Sequence, residues 1–220
     1  MAPFAACEET VRRHDPDRYF AALFAPEDKR GSLFALYAFY DELAHAGRAA
    51  QEPMLREIRL AWWRETLDGA RAGKPRDHDV ARALAATLAV HALPEEPFAR
   101  MIAARARSVR AFTEDEAEEF GADTAGALMG LAARILGAEA DGLAREAGIA
   151  YALAGQHFGA VETAAPARRH FAAARAMAMP RAALPAFLPA ALVPLYLKRA
   201  EPALWRKQAV LLLAGLRGRL

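Results

Sequence analysis

Apolar residues recur at three- and four-residue intervals along most of the chain, and no segment shows the strict alternation of a half-buried strand. The pattern predicts helices. Asp15-Pro16 makes a helix start, with an acid as N-cap and proline in the first turn, leading into residues 17–24. Pro26 separates this piece from a longer helix over 28–47, in which Leu33, Leu36, Tyr37, Tyr40 and Ala44 share one apolar face. Pro53 opens the next helix. There Ile58, Trp62, Trp63 and Leu67 point inward, Arg56, Glu57, Arg64 and Glu65 mostly outward, and Gly73-Lys74-Pro75 closes the element. Helices over 79–92 and 94–112 follow. Thr113 with Glu116 is a capping-box pattern at the head of a helix over 114–137. That helix carries Gly121, Gly126 and Gly130, each costing about 0.5–1 kcal/mol relative to alanine, so close helix–helix approach or a kink is expected there. Helices over 138–160, 166–179 and 201–216 complete the set, with a proline-broken stretch before the last.

With no internal repeat and no linker, the expected fold class is all-α: about nine or ten helices packed as one domain over residues 1–220. The stretch up to His14 is expected to be loosely held.

Composition agrees. Alanine, the best helix former, makes up about a quarter of the chain, and 55% of residues are hydrophobic against 25% charged, which excludes disorder. Of the 29 basic residues four are lysine and 25 arginine; together with the alanine excess this reads as the coding bias of a GC-rich bacterium. Net charge is +2 with the signs interspersed, so no basic stripe for nucleic acid exists. A single cysteine, Cys7, excludes an internal disulfide and a cysteine zinc site. The start Met-Ala-Pro-Phe is unlike a secretory signal. The apolar run 182–197 is broken by Pro185, Pro189 and Pro194 and is too short to span a bilayer. A cytoplasmic protein is expected. The segment 182–220, where Leu211, Leu212, Leu213 and Leu216 mix with Arg206, Lys207, Arg217 and Arg219, has two readings: a final amphipathic helix that closes the bundle, or peripheral contact with an anionic membrane surface.

Most polar residues have ordinary explanations. His14, His78, His91 and His170 sit near helix ends, where an imidazole caps. No HExxH, GxSxG, Walker or GxGxxG pattern occurs, and Ser32 and Ser108 are the only serines. One helix stands apart. Asp41 and His45 are four residues apart on one face of an otherwise apolar helix, and an acid there must be exposed, paired or metal-bound. Pairing with an arginine of the next helix, such as Arg59, is one solution; Glu42 is expected at the solvated edge.

This helix, Arg30-Gly-Ser-Leu-Phe-Ala-Leu-Tyr-Ala-Phe-Tyr-Asp-Glu-Leu-Ala-His45, resembles the first signature of the squalene/phytoene synthase family. Glu52-Pro-Met-Leu-Arg-Glu-Ile-Arg-Leu-Ala-Trp-Trp-Arg64 resembles the family's next helix. Phe120-Gly-Ala-Asp-Thr-Ala-Gly126 resembles its Tyr-x-x-x-x-Ala-Gly segment, and Gly148-Ile-Ala150 with Leu153 its second acidic helix. The four agree in order and spacing from about residue 15 to 180. The resemblance implies the isoprenoid synthase fold, helices around a central cavity, and condensation of two allylic prenyl diphosphates. Two acidic motifs on facing helices then hold Mg²⁺ against the diphosphate, because that leaving group needs bridging divalent ions.

The sequence departs from this pattern at the chemistry. The first motif reads Asp41-Glu42-Leu43-Ala44-His45, with histidine at the terminal acid. At the second, the matching positions are Gly155, Phe158, Gly159, Glu162 and Thr163, so only Glu162 is acidic. Phe120 replaces a tyrosine.

The expected protein is therefore a degenerate family member, similar to the branch that includes the mitochondrial assembly factor for respiratory complex I. Asp41, Glu42 and Glu162 are vestigial catalytic candidates, and Arg30, Tyr37, Asp41, His45, Phe120, Gly155 and Gly159 are expected around a ligand cavity. No cofactor is expected. The partner would be a membrane-bound protein or an isoprenoid or other lipid, at the inner membrane. The alternative is an active prenyltransferase using Mg²⁺ on Asp41 and Glu42.

Overall fold

The helix that carries Asp41 forms the axis of the molecule: α3 (Glu27–Ala49). From Leu33 to Tyr40 every residue is buried, so the single apolar face expected of it is an all-round apolar surface, as a helix enclosed by neighbours requires. The computed structural model describes residues 3–49, 52–107, 112–155, 162–198 and 201–220.

The described part of the stretch expected to be loosely held, residues 3–14, is an ordered helix. This helix, α1 (Pro3–His14), packs along α3, and Cys7 and Val11 on its inner face are fully buried. Burial of such side chains contributes about 1.5–3 kcal/mol for a valine or larger apolar residue, enough to fix a short terminal helix. Asp15 then caps α2 (Pro16–Ala22), its Oδ1 accepting the Arg18 N–H at 3.1 Å.

In α4 (Pro53–Arg71) the buried stripe is Arg56, Leu60, Trp63, Leu67 and Ala70, and Ile58 is 57% exposed. The expected inward face was thus rotated. Spacings of four, three, four and three residues define the true stripe, and Arg56 occupies it in place of Ile58. The helices α5 (Asp79–Val90) and α6 (Glu96–Arg107) pack on α4, and both reach α3.

The capping box opens α7 (Glu114–Gly121) as expected: Thr113 N–H donates to Glu116 at 2.8 Å, and Glu116 N–H to Thr113 Oγ1 at 3.2 Å. A π-helical turn, Ala122–Gly126, interrupts the run before α8 (Ala127–Ile135), which Gly137 ends at φ 84°. Across this turn lies α9 (Asp141–Gly155). A Cβ on Gly148 would sit 2.2 Å from the Gly126 nitrogen, and one on Gly121 would sit 3.1 Å from Ile149 Cα. The glycines therefore serve both expected purposes, a local kink and backbone-to-backbone approach.

Packed on α9 is α10 (Ala164–Ala176). The proline-broken stretch folds into short turns including α11 (Leu184–Phe187) and α12 (Val193–Tyr196), and the last helix is α13 (Leu204–Arg217), ended by Gly218 at φ 66°. Residues 183–193 are buried throughout. This part of the segment is core and not a membrane surface, because its apolar side chains meet α2, α8 and α9. Among the described residues there is no strand, and one core cluster takes residues from α1, α3, α4, α5, α6, α8, α9, α11 and α12.

Candidate functional site

Where the end of α1, the start of α2, the second half of α3 and the ends of α6 and α9 converge on α12 and α13, they enclose a cleft of about 290 Å³. Asp41 stands on its α3 wall. His14 Nδ1 lies 2.7 Å from Asp41 Oδ2, and His45 Nδ1 lies 3.4 Å from the same oxygen. The His45 ring is also held by the Asp41 carbonyl, 3.1 Å from its Nδ1. The two imidazoles stand 5.3 Å apart, centroid to centroid.

A second cluster forms the floor. Asp17 is buried and accepts hydrogen bonds from Tyr151 at 2.7 Å, from Tyr196, and from Lys207 Nζ at 3.1 Å. Lys207 also donates to the Tyr196 oxygen at 2.6 Å. Burial and the neighbouring Asp17 carboxylate raise both tyrosine pKa values above the ordinary range, so the phenols stay protonated donors.

Arg18 links floor and wall. It pairs with Asp15, and its guanidinium lies 4.9 Å from the Tyr40 ring centre and 5.1 Å from that of Tyr151. Burial opposes its charge, but Asp15 and the two tyrosines outweigh burial and raise its pKa. Arg18 Nη2 and the Tyr40 hydroxyl are buried without a hydrogen-bond partner among the described residues, which leaves the cleft two polar groups for an acceptor. Arg105 adds a third cation, stacked over Tyr40 at 5.0 Å and Phe120 at 5.2 Å.

Of the residues read from sequence, Asp41 and Gly155 line this cleft. His45 touches Asp41 but lines a neighbouring groove of about 350 Å³ with Glu42, Ile58, Arg59, Trp62, Trp63 and His78. The Asp41–Arg59 pair does not form: Arg59 is on the exposed face of α4, and Asp41 meets the two histidines instead. Arg30 turns away and donates to the Ala25 and Leu23 carbonyls at 2.9 and 3.0 Å, closing the chain after α2. Tyr37 is core, its phenol pKa raised by burial. Phe120 is buried against Phe112 and Arg105. Glu162 is exposed and accepts the Ala164 N–H at 2.9 Å, so it caps α10 and takes no part in the cleft. Gly159 and Phe158 lie outside the described residues.

Sequence reasoning missed Asp15, Asp17, Arg18, Arg105, Tyr151, Tyr196 and Lys207, and assigned His14 only a helix-end role. One signal was available. Asp15-Pro16-Asp17-Arg18 places three charges in the first turn of a helix whose neighbours are apolar.

The fold matches that of a dehydrosqualene synthase solved as a crystal structure with ligand: TM-score 0.72, over 98% of this chain and 96% of that one, at 16% identity. It is the isoprenoid synthase fold. The family model for squalene/phytoene synthase matches residues 11–156, more than half of the chain, and the chain belongs to that family. Assembly factor 6 of NADH dehydrogenase (ubiquinone) complex I is 29% identical in Bos taurus and 28% in Homo sapiens, over 134 residues. That is 60% of this chain and 40% of each relative. A 15-cis-phytoene synthase from Synechococcus elongatus is 33% identical over 102 residues, 45% of this chain and 32% of that enzyme. The matched region thus spans about two-fifths of the complex I relatives.

Proposed function

We propose that this chain is a non-catalytic member of its family that works by binding, as an assembly factor for a respiratory NADH dehydrogenase. The observation that carries this reading is the α9 wall. Opposite Asp41 it offers Tyr151 and Gly155, and residues 155–161 contain no Asp or Glu. The acids that α9 does carry are occupied elsewhere, Glu146 by His170 at 2.7 Å and Asp141 by Arg134 at 2.7 Å.

Ionising a prenyl diphosphate requires Mg²⁺ held by carboxylates from both walls, since Mg²⁺ takes oxygen donors in octahedral geometry. The donors here do not fit such a cluster. Asp41 is shared by two imidazoles, and the remaining cleft acids, Asp15 and Asp17, are neutralised by Arg18 and Lys207. Each 1.36 kcal/mol withheld from the transition state costs tenfold in rate, so losing a whole wall of ligands removes turnover.

The relatives named as assembly factors of NADH dehydrogenase (ubiquinone) complex I support a respiratory NADH dehydrogenase as the partner on this reading. On α13, Trp205, Leu212, Leu213 and Leu216 remain exposed while Leu211 and Ala214 enter the core, so this helix both closes the fold and presents an apolar face beside Arg206 and Arg217. No described helix is long and apolar enough to cross a membrane. Peripheral contact through α13 fits a partner of this kind.

Incubation of the purified chain with farnesyl or geranylgeranyl diphosphate and Mg²⁺ tests the reading. No condensation product is expected; turnover that disappears in Asp41→Ala would restore the prenyltransferase alternative. In cells, deletion is expected to lower NADH-driven respiration, and respiration untouched by the deletion defeats the assembly role.

A further inference from the structure

We infer that His14, Asp41 and His45 form a site for a single divalent transition ion of the zinc class, in place of a magnesium site. One donor atom from each of the three lies within 4.8 Å of the others. Donors bound at about 2.0–2.2 Å stand about 3.4 Å apart on a tetrahedron, so His14 and His45 need only small side-chain rotations to close on an ion.

The donor chemistry selects the ion. Two imidazoles and one carboxylate suit Zn²⁺, Ni²⁺ or Co²⁺, whereas Mg²⁺ requires oxygen and keeps its waters. The histidine at position 45, which reads from sequence as the loss of an acid, is on this view a change of metal class. His14 completes the set from another helix, α1. The fold brings them together because α1 lies along α3, and both reach the cleft at this end.

The site is also open and anchored. The His14 and His45 side chains are about half exposed, at 46% and 50%, so water or a ligand atom can fill the fourth position, while Asp41 is 13% exposed and fixed on the buried axis helix. Of the cleft cations, Arg18 is paired with Asp15 and Lys207 with Asp17, and Arg105 stacks over the Tyr40 and Phe120 rings. The inference is independent of turnover, because its readout is ion binding.

The test is titration of the metal-free full-length chain with Zn²⁺, Ni²⁺ and Mg²⁺ by calorimetry. One equivalent of Zn²⁺ or Ni²⁺ is expected, at least about 100-fold tighter than Mg²⁺, as imidazole donors dictate. His14→Ala and His45→Ala should each weaken it by about 10–100-fold or more, since even outer partners of a metal site have effects of that size. His45→Asp should move preference toward Mg²⁺ and Mn²⁺. If His14→Ala disturbs folding, Co²⁺ loading of the unmodified chain still decides: visible bands of nitrogen-ligated Co²⁺ are expected, and they should vanish when excess Zn²⁺ is added. Equal affinity for Mg²⁺ overturns the assignment. So does Zn²⁺ binding unchanged in His14→Ala and His45→Ala, which would place the ion on other histidines, and so does an absence of binding.

Discussion

The α3 wall and the α9 wall face each other across one cleft, yet they have kept different things. The α3 wall retains its acid, Asp41, and has gathered two histidines around it. Among its described residues the α9 wall turns no acid toward the cleft, but it has the backbone contact that seats it, Gly148 against Gly126. Packing and chemistry use different residues on the same helix. The seat of α9 is set by glycines and alanines away from the cleft, which decide how closely it approaches, and not by the residues that face the cleft. Carboxylates at a metal site contribute little to stability when the metal is gone, and clustered like charges oppose folding.

The seat of α9 is the place where the comparison breaks most severely. A methyl on Gly148 would meet Gly126 backbone at 2.2 and 2.3 Å, and backbone cannot swing aside as a side chain can. Gly148→Ala is expected to cost at least about 3 kcal/mol. At about 2–4 °C per kcal/mol for a chain of this size, that lowers the melting temperature by roughly 6–12 °C. A thermal melt followed by circular dichroism reads it directly; an unchanged melting point would mean α9 is not seated on its glycines.

Next in size is the cleft floor. Asp17→Asn leaves Lys207 half-enclosed without its counter-charge and weakens the acceptor for two tyrosines. Breaking a buried pair from one side costs about 3–5 kcal/mol, and solvent access at Lys207, 18% exposed, puts this one at about 2–3 kcal/mol. By contrast Asp41→Asn, whose histidine partners are half exposed, should cost no more than about 1 kcal/mol. Urea midpoints of the two variants separate them. Equal losses would mean that the wall acid is structural in the same way as the floor acid.

Alkaline pH probes the same asymmetry more gently. Burial, then the Asp79 and Glu42 carboxylates, push the Cys7 thiol up to about 12, and Tyr151 and Tyr196 are likewise raised. The folded chain therefore holds protons that the unfolded chain releases first. Stability is full below the ordinary thiol and phenol values, near 9.0 and 10.0, and falls as pH rises above them. Denaturant midpoints measured from pH 8 to 11 should decline above pH 9, and Cys7→Ala should flatten the first part of that decline. A midpoint constant over this range would contradict the burial of these groups.

How much of this the sequence carries differs between scaffold and site. The helices, the capping box at Thr113 and the glycine contact follow from local spacing, and local spacing is what a helix obeys. The four motif segments carried the family, because their order along the chain survives substitution of single residues. The floor of the cleft was illegible for a physical reason. Asp17, Tyr151, Tyr196 and Lys207 are up to 190 positions apart, and nothing in a helical period links a tyrosine on α9 to a lysine on α13. Motif reading also overreached. Counting forward from Gly148-Ile-Ala150 put Glu162 among the positions of the second acidic motif, whereas its carboxylate accepts the Ala164 N–H at the start of α10.

That displacement gives the smallest and sharpest contrast between the walls. If Glu162 is only a cap on α10, its carboxylate contributes one side-chain-to-backbone bond at an exposed helix start, to the Ala164 N–H. Glu162→Ala should then cost at most about 1 kcal/mol, and Glu162→Asn, whose shorter side chain still offers an acceptor, less than that. Neither should alter any property of the cleft, whereas Asp41→Asn should. Ion binding provides the discriminating measurement, since His14, Asp41 and His45 touch the ion and Glu162 does not. A Glu162→Ala variant that lost ion binding along with Asp41→Asn would place the two acids on one site after all, and would return to α9 the acidic wall that its described residues do not provide.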